Sequence, residues 1–178
     1  MLNKWPAAGF LAAIAIFVWG SITHMAFNID SHVKALPNED AVLTALQANV
    51  KEPGMYFYPN EMDPMKLETR AKTAPRGILT YTPAGTPFSF GQSLGMQFGT
   101  DLICALLVAF LYSQAALALK SLGQRLLFTT LLGVFSVFAV QAPFWNWYGF
   151  PTAALISGIF EQGTGGLIAG LVFAKLIK

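Results

Sequence analysis

Lys120-Ser121-Leu122-Gly123-Gln124-Arg125 is a short connector with two bases and no acid, set between the apolar runs 95–119 and 126–142. A membrane-crossing helix needs roughly 20 mainly apolar residues, and Lys and Arg in short loops stay on the cytoplasmic side. The connector therefore reads as an inside turn between two crossings. Outward from it the pattern repeats. Lys4 precedes an apolar run over 6–27, and Lys175 and Lys178 close a run over 151–177. Seven of the nine acids lie between Asp30 and Glu68, in the one long polar stretch. The charge pattern predicts an all-α membrane protein of four transmembrane helices with both ends cytoplasmic. A small α+β extracytoplasmic cap over 28–94 separates span one (1–27) from spans two to four (95–178).

Composition agrees. The chain has 178 residues, 54% of them hydrophobic and only 11% charged, with mean hydropathy +0.53, whereas soluble domains carry about 25% charged residues. Barrel strands alternate in polarity over roughly ten residues; these runs do not. The first run is longer than a signal-peptide core, and bulky His24, Met25 and Phe27 stand where small cleavage-site residues belong, so it reads as a retained span. Trp5 falls at the inner interface and Trp145, Trp147 and Tyr148 at the outer one, as amphipathic rings prefer. Cys104 is the only cysteine and lies inside span two, which excludes a disulfide in the cap and dithiol chemistry. No acid-free basic patch outside the membrane offers a nucleic-acid surface.

The cap carries ordered signals. Asn38-Glu39-Asp40 ahead of Ala41, Val42, Leu43 and Leu46 predicts a capped helix over 39–50. Met55-Tyr56-Phe57-Tyr58 reads as a strand, Asp63-Pro64 as the start of a helix over 64–73, and Gly77-Ile78-Leu79-Thr80-Tyr81-Thr82 as a second strand. Whether the strands run parallel or antiparallel stays open.

Leu36-Pro37-Asn38-Glu39-Asp40, the Pro53-Gly54-Met55-Tyr56-Phe57-Tyr58-Pro59 stretch, the Gly77 strand and Gly91-Gln92-Ser93-Leu94-Gly95 together resemble a family of bacterial inner-membrane proteins with no assigned activity. The resemblance covers the cap and implies the architecture and a bacterial inner-membrane address, with the cap periplasmic. It transfers no catalytic residue and no cofactor.

Chemistry is sought among ionisable groups inside spans, because each costs several kcal/mol unless paired or hydrated. His24, Asp101 and Glu161 qualify, with Gln141 at the same outer level and Glu161 near the midplane. His24 and Asp101 are expected at comparable depth, close enough to pair. Ser157, Glu161 and Thr164 share one helix face. One reading is a polar pocket opening outward, with Glu161 at its floor, for an ion or polar ligand. The competing reading makes His24 and Asp101 solvated interfacial groups, with Glu161 satisfied by Gln141 or by a neighbouring subunit. Gly91, Gly95 and Gly99, and again Gly166 and Gly170, recur at a spacing that lets helices approach closely in lipid; they are expected in packing within the chain or at an interface with another. A copper site from His24, His32, Met62 and Met65 ranks low, since methionine is more often filler. No nucleophile elbow, zinc helix or phosphate loop occurs. The sequence thus points to a non-enzymatic accessory or scaffold subunit, its partners the bilayer and other membrane subunits or copies of itself. The alternative is a small oligomeric transporter or channel-like protein using Glu161 and Asp101.

Overall fold

The computed structural model describes residues 4–177 as eight elements: α1 (Trp5–Met25), α2 (Glu39–Asn49), β1 (Gly54–Tyr58), α3 (Pro64–Arg70), β2 (Gly77–Tyr81), α4 (Phe90–Ala115), α5 (Leu122–Tyr148) and α6 (Thr152–Leu176). The chain divides into two compact units, one built of α1 and α4 to α6, the other spanning Val33–Phe88. Four helices, α1, α4, α5 and α6, are long and apolar enough to cross a membrane.

In the helical unit α1 lies between α4 and α6, and α5 packs on the far side of α6. The core where α1, α4 and α6 meet is built from small residues: Ala8, Ala12 and Ala13 of α1, Ala105 and Ala109 of α4, and Ala169 of α6 are all buried. Alanines let the backbones close up, and Tyr112 and Phe173, both fully buried with ring centroids 5.5 Å apart, fill what remains. α4 touches α5 and α6 only lightly, chiefly through Tyr112, whose ring also meets Phe128 of α5. Large apolar side chains such as Leu107, Phe135 and Ile156 point outward and are more than half exposed. Such a surface is costly in water, at about 25 cal/mol per Å², and suits lipid.

Two helices reach further than the hydropathy runs indicate. α4 begins at Phe90 rather than at 95, because Ser89 caps it by accepting from the Gln92 amide at 3.3 Å. α5 begins at a reciprocal Ser121–Gln124 capping box and passes through Pro143 to Tyr148 instead of ending near 142. It stops at Gly149, whose φ of +74° is readily adopted only without a side chain.

In the Val33–Phe88 unit β1 pairs with β2 antiparallel, Gly54 opposite Tyr81 and Tyr58 opposite Gly77, so α3 sits within the connection of a hairpin. Asp63 caps α3 by accepting from the Met65 and Lys66 amides at 2.9 and 3.3 Å; the helix ends at Arg70, short of 73. Asn38 departs from its expected role. It occupies the N-cap position of α2 but takes a left-handed φ of 53° and makes no side-chain cap bond, leaving Glu39 and Asp40 as the favourable groups at that helix start.

Candidate functional site

The helical unit gathers its ionisable groups where α1 ends and α6 is about nine residues old. Past Met25 the chain folds back on itself. The amides of Ala26 and Phe27 donate to the Ile22 carbonyl, that of Ile29 donates to Thr23, and Asn28 adopts a left-handed φ of 48°. Asparagine tolerates that conformation better than most residues. The reversal carries Asp30 back over the last turn of α1, where its Oδ2 lies 2.5 Å from His24 Nδ1.

His24 also reaches the other way. Its Nε2 is 3.4 Å from Glu161 Oε1 on α6. The imidazole therefore bridges two carboxylates, Asp30 about half exposed and Glu161 with a side chain only 19% exposed. A ring nitrogen that faces a carboxylate must carry a hydrogen, or the carboxyl must carry one, since two lone pairs otherwise oppose each other. The chain Asp30–His24–Glu161 is then complementary when it holds two protons, either as an imidazolium between two carboxylates or as a neutral ring beside one carboxylic acid. Both arrangements have net charge −1.

Fully buried Thr23 completes the surroundings of Glu161. Its Oγ1 is 2.6 Å from Glu161 Oε1 and 2.9 Å from the Gly20 carbonyl. With Glu161 ionised, the hydroxyl donates to it. With Glu161 protonated, its one hydrogen goes either to the Thr23 hydroxyl, which then turns its own hydrogen to Gly20, or to an unprotonated His24 Nε2, with Thr23 donating to Gly20. One side chain thus satisfies both states. Trp19 Nε1 donates to the Glu161 main-chain oxygen at 3.4 Å, tying α1 to α6 at the same level.

Beside this chain lies a cavity of about 250 Å³. Ile29, Asp30 and His32 line it from the turn after α1; Gln141, Phe144 and Trp145 from the end of α5; Phe150, Ser157, Gly158 and Glu161 from the α5–α6 turn and α6. Glycine at 158 makes the space: a Cβ there would overlap the Gln141 amide. Ser157 Oγ donates to the Ile29 carbonyl at 3.2 Å, holding the turn against α6. Trp145 Nε1 donates to Thr152 Oγ1 at 3.1 Å, which fixes that ring across the turn.

The arrangement corrects several expectations. His24 pairs with Asp30 and Glu161, not with Asp101. Asp101 does not line the cavity; it accepts from Gln97 Nε2 at 2.9 Å on its own helix. Gln141 lines the cavity, but the partners of Glu161 are Thr23 and His24. Thr164 donates back to the Phe160 carbonyl of its own helix at 2.6 Å. Gly166 and Gly170 lie against α5, where an added Cβ would collide with the Thr129 carbonyl and side chain respectively. Gly91, Gly95 and Gly99 are not packed within the chain: a Cβ on any of them would meet nothing within 4 Å. Met62 precedes α3, so it shares no helical turn with Met65, and both are largely exposed. Both nitrogens of His24 already face carboxylates, and His32 Nδ1 lies 3.2 Å from the Ile29 carbonyl. Among the described residues no three His, Cys, Asp or Glu side chains gather as a metal site.

Sequence reading missed Asp30 and Thr23. Asp30 looked like one more cap acid; the signal was Asn28, a residue suited to reversing the chain between His24 and Asp30. Thr23 carried no signal of its own, because a hydroxyl near the end of an apolar run is ordinary until its partner is known. No family model, no curated protein and no solved structure matches the chain.

Proposed function

We propose that the chain is a non-enzymatic, multi-pass protein of the bacterial inner membrane, with both ends cytoplasmic and the Val33–Phe88 unit periplasmic. In this reading it is an accessory subunit whose own contribution is a one-sided site where Glu161 takes up and releases a proton or small cation. One observation carries the reading: Asp30, exposed, is linked through His24 to the more enclosed Glu161, and Thr23 is placed to satisfy that carboxyl in either state. Protons pass along such a chain without a large rearrangement, since each group is both donor and acceptor in turn.

The site has a closed floor. Further along α1 and α6 lie Ala12, Ala13, Ala169 and Phe173, all buried, so a path through one copy is not supported. Transport, the alternative, requires several copies that open a route between them. Association itself is favoured by a separate observation, the open Gly91–Gly95–Gly99 face of α4, since small residues at this spacing drive helix pairing in lipid.

The test is infrared difference spectroscopy of the purified protein in lipid nanodiscs across a pH step. The carboxyl C=O band assigned to the site is expected to vanish in Glu161→Gln and to shift in frequency in His24→Gln, which changes its hydrogen-bond partner. A band that persists unchanged in Glu161→Gln would overturn the reading.

A further inference from the structure

We propose that the cavity between the turn after α1 and the α5–α6 corner binds a small organic ammonium ion. The proposal rests on the reading of Glu161 as a charge-accepting site and names the ligand class. Among the lining residues there is no Lys or Arg, while Asp30 and Glu161 supply carboxylate oxygen. An anion would face both carboxylates with only His32 and the Gln141 amide to offset them. A hard metal ion would find only two carboxylate residues and no further gathered ligands, where calcium takes about six to eight oxygens.

The rest of the wall is aromatic. Phe144, Trp145 and Phe150 all face the space, with the Phe144 and Phe150 rings tilted 43° at 5.4 Å and Trp145 held by its bond to Thr152. Ring faces are negative and attract cations with a carbon skin, which shed water far more easily than a metal ion does. The shape agrees with the chemistry. At about 30 Å³ per liquid water, about 250 Å³ leaves room for an ammonium head with a short carbon body. The ammonium group can belong to a free amine or to a lipid headgroup; the recognition chemistry is the same.

The full-length protein, in nanodiscs of phosphatidylglycerol alone, is titrated calorimetrically with choline chloride, with ethanolamine hydrochloride, and with sodium chloride at equal ionic strength. Saturable binding of at least one of the two amines, absent for sodium, is expected. Trp145→Leu and Asp30→Asn are each expected to weaken it about tenfold. A tenfold loss in Asp30→Asn alone, or in Phe150→Leu should Trp145→Leu fail to assemble, still supports the site. Heat identical to the sodium control, or binding untouched by every one of these variants, overturns the proposal. Nanodiscs containing phosphatidylethanolamine separate the sources: if the headgroup is the occupant, they abolish binding of the free amine by competition. Unchanged binding there assigns the site to soluble amines. Loss of amine binding with the Glu161 infrared band intact sinks this inference alone, whereas absence of that band sinks the reading beneath it.

Discussion

Replacing Thr23 with valine removes one oxygen from the interior and almost nothing else. The residue is fully buried on α1, valine matches it in volume and β-branching, and both are stiff at χ1. What disappears is the donor 2.6 Å from Glu161 Oε1. A hydrogen bond to a charged group is worth about 1.5–3 kcal/mol and one between neutral groups about 0.5–1.5 kcal/mol. Thr23→Val should therefore cost about 2 kcal/mol in the wild-type background under conditions that ionise Glu161, and about 1 kcal/mol in Glu161→Gln, whose amide oxygen still accepts. The difference, about 1 kcal/mol, is the coupling between the two side chains. It can be measured as a double-mutant cycle from reversible unfolding in mixed micelles, the mole fraction of denaturing detergent being varied and tryptophan fluorescence followed. Neighbouring groups couple by about 0.5 kcal/mol or more, while independent sites add to within about 0.3–0.5 kcal/mol. A strictly additive cycle would show that Thr23 and Glu161 are adjacent without interacting, and the account of a site serving two protonation states would fall.

The proposed orientation is tested by single cysteines in a Cys104→Ser background: those at Ser31 and Thr69 should react with an impermeant reagent from outside and one at Ser121 should not, the reverse pattern refuting it. Gly95→Leu should leave the stability of the isolated chain within about 0.5 kcal/mol, because open space lies over it, yet should abolish any association seen by cross-linking. Gly166→Leu should instead cost at least about 1–3 kcal/mol, since its Cβ would strike the Thr129 backbone; equal unfolding curves for the two variants would contradict the packing. Asp101→Asn should retain both the carboxyl band that Glu161→Gln loses and the amine binding that Asp30→Asn weakens, and a loss of both in Asp101→Asn would move the site toward α4.

Those contrasts also mark how far the sequence could be read. Length and hydropathy suffice for the four long helices, because the apolar runs and the charge breaks around Lys120 and Arg125 leave little choice. The ends were less legible: α5 runs on through Pro143 although the ring removes one internal bond and crowds the carbonyl four residues back, and hydropathy does not register it. Glu161 stood out as an expensive carboxylate. Its partners did not, because pairing across 138 residues depends on which helices become neighbours, and periodicity is silent on that. The glycine ladders show the same limit. Gly91, Gly95 and Gly99 have the spacing of Gly166 and Gly170, but only the second pair finds a helix within the chain.

The central place of α1 has a consequence for how the molecule comes into being. Its two neighbours are α4 and α6, so the first helix made waits for the last. Between the synthesis of Thr23 and that of Glu161 lie 138 residues, roughly 7 to 30 s at about 5–20 residues per second. Until α6 is made, the only long helix that α1 packs on is α4, whose contact residues Ala105 and Ala109 come more than halfway through that interval, while Thr23 and His24 stand without the carboxylate they will hold. A chain without α6 would lack both the Ala169 and Phe173 part of the core and the carboxylate of the acceptor site.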